Sequence, residues 1–182
     1  MLLVGADVRN PQIAQFLNTP KKPGLTHFLM DENMQAENLI QSMPDLGFDL
    51  LQSGSIPPNT SELLLNGRFE EMLAYGRQHY DFVIVDTAPV SLVTDTLLLS
   101  GNNADLFVYV VRANYLDKRL LKVPRKLFKT KRLQNMAILL NDTRPERTLG
   151  YGYGYGYEYG YGYSYGDAST KSWKDRLLTY FK

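Results

Sequence analysis

Five short apolar runs punctuate the first 140 residues, at 1–4, 48–51, 82–85, 106–111 and 136–140. Each is rich in leucine, β-branched or aromatic residues, and most are continuous rather than alternating. Strands of that kind are covered on both faces, as in a parallel sheet. Helical patterns fill the intervals. Asn10-Pro11 offers a capping side chain followed by proline at a first helical position. Thr60 opens a second helix, and a third follows Gly67, from Arg68 to about His79. Between Leu116 and Leu133 the spacing puts Leu116, Leu120, Val123 and Leu127 on one helical face. Strands alternating with helices predict an α/β domain with a doubly wound, mostly parallel sheet over residues 1–147.

Those 147 residues are electrically neutral, with sixteen basic and sixteen acidic side chains, and the whole chain carries +1. That balance argues against a strongly basic nucleic-acid binder. The chain has no cysteine and only two histidines, His27 and His79. Disulfide frameworks, thiolate metal centres and cysteine nucleophiles are excluded. Neither histidine has a carboxylate or serine at motif spacing, so both read as structural. No apolar run approaches the ~18–20 residues of a membrane helix.

Residues 148–169 are a different polymer. Eight of the thirteen tyrosines fall there, at every second position: Tyr151, Tyr153, Tyr155, Tyr157, Tyr159, Tyr161, Tyr163 and Tyr165. Interleaved glycines are costly to order and no aliphatic residue offers a core, so the segment is predicted to be disordered in isolation. Phosphoacceptor, self-adhesive segment and inert linker are its three readings. Residues 170–182 form a short basic amphipathic segment, with Trp173, Leu177, Leu178 and Phe181 beside Lys171, Lys174 and Arg176. It suits packing on a domain or resting at a membrane interface.

Two strand ends carry chemistry. In the first, Val4-Gly-Ala-Asp-Val-Arg-Asn-Pro11, an apolar strand delivers Asp7 and Arg9 at its carboxyl end, where ligands bind in open α/β sheets. Asp7 suits a metal and Arg9 a phosphate; a solvated ion pair is the plain alternative. In the second, Phe82-Val-Ile-Val-Asp-Thr-Ala-Pro89, Asp86 ends an apolar strand in the manner of a Walker B acid, which binds Mg²⁺.

Together these segments resemble the bacterial tyrosine kinases of capsule and exopolysaccharide synthesis, relatives of the MinD/ParA-type P-loop ATPases. Lys22-Pro-Gly-Leu25, Ser53-Gly-Ser-Ile-Pro-Pro-Asn-Thr-Ser-Glu-Leu-Leu64, Val110-Val-Arg112 and the tyrosine cluster extend the resemblance over nearly the whole chain, in the family's order. The resemblance implies ATP and Mg²⁺ as cofactors. It makes Asp7 the second Walker A′ acid, Arg9 that motif's arginine, Asp86 the Walker B acid, and the eight tyrosines phosphoacceptors. Asn141, at the end of the fifth apolar run, matches a position that contacts adenine in MinD-like relatives. It implies neighbouring kinase subunits and a membrane chain-length regulator as partners, at the cytoplasmic face of the inner membrane, and no nucleic acid.

There are two departures. The first Walker A′ acid is Gly5, and no Gly-x-x-x-x-Gly-Lys-Ser/Thr occurs in these 182 residues. That loop supplies the amides and lysine that cradle phosphates. The chain is therefore expected to be the C-terminal two-thirds of a P-loop kinase domain, truncated at its first strand and P-loop, and to neither bind ATP tightly nor phosphorylate itself alone. A fragment, a truncated gene product and a degenerate copy all fit, and so does a non-catalytic scaffold or a regulator phosphorylated in trans. From Arg112 to Arg132 nine basic residues meet one acid, Asp117. A solvated helix face, a seat for the phosphorylated tail and a membrane contact each account for them.

Overall fold

A computed structural model describes residues 1–90, 96–97, 104–133 and 135–143. The chain divides into two compact units: Met1–Phe107 with Lys122–Met136, and Val108–Leu121 with Ala137–Lys182.

The first unit is built on a four-stranded sheet. Its strands are β1 (Leu2–Gly5), β2 (Gln41–Met43), β3 (Phe48–Leu51) and β4 (Val83–Asp86), in the order β2-β3-β1-β4. β1 runs parallel to both neighbours, with Val4 beside Leu51 on one side and Val85 on the other. β2 pairs antiparallel with β3 at the edge. It is a three-residue strand, Gln-Ser-Met, with no apolar pattern to announce it, held by a turn through Pro44–Leu46 and Gly47 at φ 74°.

Helices accompany this sheet in the first unit. They are α1 (Ile13–Phe16), α2 (Leu25–Met30), α3 (Thr60–Leu63), α4 (Arg68–His79) and α5 (Lys122–Lys129). α4 begins where Gly67 turns left-handed at φ 85° and the Asn66 side chain accepts the Arg68 N–H. Glu70 and Glu71 sit in its first turn and Arg77 and His79 in its last, each suited to the helix dipole. It buries Phe69, Met72, Leu73 and Gly76, the i, i+3, i+4, i+7 stripe of a core-facing helix. These pack with Leu2, Val4, Ala6, Val8, Leu25, Phe28, Leu29, Leu51 and Leu64, and with Val83 and Val85. Burying Phe69 or Met72 stabilises by roughly 2–3 kcal/mol each. Arg68 locks α2 onto this layer. Its guanidinium donates to the carbonyls of Phe28, Asp31 and Met34 at 2.8–3.1 Å, pairs with Glu71 at 2.9 Å, and lies 4.0 Å over the Phe28 ring. One late carbonyl of α2, that of Phe28, and two of the loop after it thus find donors they could not find within the helix.

The second unit holds most of a two-stranded sheet of β5 (Phe107–Arg112) and β6 (Met136–Asn141). The Phe107 N–H donates to Asn135 O and the Ala113 N–H to Asn141 O, so the partners advance together and the pair is parallel. After β5 the chain turns through Asn114 at φ 59°, and Arg112 reaches Asp142 at 3.0 Å while lying over the Tyr115 ring. Val108, Val110, Ile138, Leu139 and Leu140 remain exposed.

Two expectations are corrected. Asn10 and Pro11 do not start a helix: α1 begins at Ile13 without a side-chain cap, because the Asn10 N–H is held by Asp7 and its carbonyl oxygen Oδ1 by Gln12. The single helix over 116–133 is a 3₁₀ turn at Lys118–Leu121 followed by α5. Pro124 stands in the first turn of α5, where its missing N–H needs no helical partner, but its ring would strike the carbonyl four residues back, so a helix running in from Leu116 could not continue into α5. Leu120 is left exposed while Pro124 and Leu127 are buried.

Candidate active site

Alternation along a strand decides where the acids point. Val4 and Ala6 face the core, so Gly5 and Asp7 belong to the opposite face. Val83 and Val85 pack on the core, so Ile84 and Asp86 share that opposite face. The register pairs Gly5 with Asp86, and the Ala6 N–H donates to Asp86 O at 2.7 Å. Asp7 and Asp86 therefore leave neighbouring parallel strands at the same end and on the same side.

Asp7 is half committed. Its Oδ1 accepts the N–H groups of Arg9 at 3.2 Å and Asn10 at 2.9 Å, which fixes the turn after β1. Its Oδ2 has no hydrogen-bond partner among the described residues, nor does either carboxylate oxygen of Asp86. Asp86 reaches solvent, yet the surrounding protein raises its carboxyl above the usual range, first by desolvation and then by the negative charge of Asp7. Two uncompensated carboxylates at the mouth of a sheet are suited to a hard divalent cation, which would relieve their repulsion and take their open oxygens as ligands. The donor set therefore fits Mg²⁺. Among the described residues no three histidine, cysteine or acidic side chains gather as a larger metal cluster.

Arg9 donates to Ser61 Oγ at 3.2 Å, tying the end of β1 to α3. Asn141 is the last residue of β6 and uses its carbonyl to accept the Ala113 N–H; it belongs to the second unit, whereas both acids belong to the first. The eight tail tyrosines and residues 170–182 lie outside the described residues. His27 Nδ1 accepts the Gly24 N–H at 3.2 Å, and His79 Nδ1 donates to Tyr75 O at 2.8 Å while stacking on that ring. Both histidines hold structure, as their sequence surroundings suggest.

The sequence reading assigned no role to Ser53. It is 4% exposed, just beyond the end of β3, and sits directly against Gly5. A glycine in place of an expected acid was the available signal.

No family model matches the chain. Known proteins do. Tyrosine-protein kinase wzc of Salmonella typhimurium is 32% identical over 153 residues, covering 83% of this chain and 21% of that protein. The chain thus spans about a fifth of the length of the curated relatives it matches. The solved kinase domain of Escherichia coli tyrosine kinase ETK superimposes with a TM-score of 0.73 at 27% identity, covering 86% of this chain and 60% of that one. A plasmid partition protein from Borrelia burgdorferi, at 20% identity and TM-score 0.51, shares the fold alone over 81% of this chain and 70% of its own. The expected P-loop-type α/β fold is the fold found.

Proposed function

The bacterial tyrosine-protein kinases are the family to which this chain belongs, and on that premise we propose that it is part of a tyrosine autokinase domain serving capsule or exopolysaccharide synthesis. The observation that carries the reading is the convergence of Asp7 and Asp86 on one face at the carboxyl ends of β1 and β4. In this reading the pair holds the Mg²⁺ of magnesium-ATP. When bound, that ion neutralises charge on the phosphates during transfer.

The chain's own groups supply the rest. Phosphoryl transfer to a tyrosine oxygen releases the phenolic proton, which passes to solvent, because the open oxygens of Asp7 and Asp86 would be taken up by the ion. Arg9, anchored on Ser61, holds the β1 turn that aims Asp7. The acceptors are the tyrosines of residues 151–165, belonging to this chain or to a neighbouring subunit. Alternate glycines give that segment the freedom to enter an active site. Eight phosphates would add a charge of roughly −12 to −16 to a nearly neutral segment. The domain organisation is a kinase domain at 1–147, an acceptor tail at 148–169 and a basic amphipathic end at 170–182, working beneath the membrane with a membrane activator. Among the described residues no helix is long and apolar enough to cross a membrane.

A second reading is a non-catalytic module, phosphorylated by intact kinases and regulating polymer length. It is favoured by one observation, Gly5 standing where the first Walker A′ acid is expected. Peptide mass mapping of the chain recovered from its own cells tests both. Phosphate on the tail that disappears with Asp86→Asn supports the kinase. Phosphate that persists in that variant supports modification in trans. A tail that never carries phosphate overturns both.

A further inference from the structure

We infer that the outer side of α5 and the turn that closes it, residues 122–132, form a docking surface for an anionic lipid bilayer, whatever Asp7 and Asp86 bind.

Charge is the first observation. Lys122, Arg125, Lys126, Lys129, Lys131 and Arg132 are cationic, and no residue of the segment is acidic. All six are exposed, and none has an ion pair among the described residues. The segment is thus a local excess in an otherwise neutral domain. Pro124 and Leu127 are buried, which leaves the cations on the solvent side of α5. That side repels itself. Lys122 and Lys129 each stand three or four residues from both Arg125 and Lys126, and like charges at those spacings oppose helix formation. Lys122 also opens the first turn, where the helix dipole disfavours a cation and no acid is present. An anionic surface relieves both.

The second observation is how the helix ends. The Arg132 N–H donates to Leu127 O and the Lys131 N–H to Phe128 O, both at 3.1 Å, which is the Schellman closure. The left-handed position of that motif ordinarily takes glycine; here it is Lys131, at φ 52°. A strained position thus carries one more cation. The third observation is Phe128, one turn after Arg125 and 61% exposed. An aromatic ring beside a row of cations is the composition of an element resting in a membrane interface, the ring at the acyl boundary and the cations among the lipid phosphates. A phosphorylated peptide would instead call for donors converging on each phosphate. These cations are spread along a helix and its closing turn, and match a plane of charge. Each Lys or Arg held at such a plane strengthens binding about fivefold.

The probe is flotation of the full chain with vesicles of equal parts phosphatidylglycerol and phosphatidylcholine, against phosphatidylcholine alone, with urea midpoints measured in parallel. Wild type should float with the anionic vesicles only, and less as salt rises. The quadruple variant Lys122→Gln, Arg125→Gln, Lys126→Gln, Lys129→Gln should bind more than about a hundredfold less tightly. Its urea midpoint should equal or exceed that of wild type, because repulsion within the helix has been removed. If that midpoint falls instead, the single variants Arg125→Gln and Phe128→Ala decide, each expected to weaken binding about fivefold at an unchanged midpoint. A quadruple variant that floats as wild type does puts any bilayer contact elsewhere, residues 170–182 included, and overturns the docking surface. Loss in the quadruple variant with Phe128→Ala unaffected reduces the segment to a polycation and overturns it too. So does a wild type that ignores anionic vesicles. If a phosphotyrosine peptide of residues 151–165 then binds wild type and not the quadruple variant, the surface belongs to the phosphorylated tail.

Discussion

β1 and the β5–β6 pair are written in nearly the same letters and end in different environments. β1 has a parallel neighbour on each side, and Leu2 and Val4 are fully buried under α2 and α4. Among the described residues β5 and β6 pair only with each other, and five of their aliphatic side chains are exposed. Both segments read as continuous apolar runs. The difference shows what such a run encodes: an extended backbone with apolar groups on both sides, and nothing about what covers them. Cover comes from helices distant in sequence, such as α4, whose buried stripe is specified by its own period. A two-stranded sheet without cover is marginal, so stability should reside in the first unit.

Equal truncations in the two regions test that most sharply. Met72→Ala should cost about 3 kcal/mol in urea unfolding, since it empties a site with no solvent contact. Leu139→Ala, at a half-exposed position, should cost about 0.5 kcal/mol. Equal losses would break the comparison. Next comes Arg68→Ala, expected to cost about 2 kcal/mol because it strips donors from the carbonyls of Phe28 in α2 and of Asp31 and Met34 in the loop that follows. A change below about 0.5 kcal/mol would remove Arg68 from the account of how α2 is held.

A smaller effect has a pH signature. The Tyr80 hydroxyl donates to Asp49 at 2.8 Å, and desolvation, followed by that bond and the Asp49 charge, raises its pKa to about 12. The fold favours the neutral phenol. Its contribution is complete below pH 10 and disappears as pH rises from 10 through 12. Tyr80→Phe should therefore be less stable than wild type by about 1 kcal/mol at pH 8, with the gap closing above pH 10. A gap that widens with pH would contradict the assignment. Smallest of all, Val110→Thr should stay within about 0.5 kcal/mol, as suits a residue already 53% exposed.

Much of this was legible beforehand, for identifiable reasons. The runs at 1–4 and 82–85 announced β1 and β4, and Gly67 announced the start of α4. Strand alternation then made Asp7 and Asp86 neighbours once the register was known. β2 was illegible because three polar or flexible residues carry no period. The helix over 116–133 was misread because its leucine spacing outweighed Pro124, which fits only the first turn of α5 and so makes that helix start at Lys122. The packing of Ser53 against Gly5 was illegible because it depends on a missing Cβ, a contact across 48 residues that no local pattern records.

The central claim is that Asp7 and Asp86 act as one cation-binding pair. A magnesium titration of the full chain, followed through the carboxyl carbon resonances of its aspartates, tests it directly. Asp7 and Asp86 should shift together along a single saturable curve, with Asp49 and Asp117 unmoved, and Asp86→Asn should abolish the Asp7 response. Independent curves for the two acids, or shifts no larger than those of Asp117, would contradict the claim.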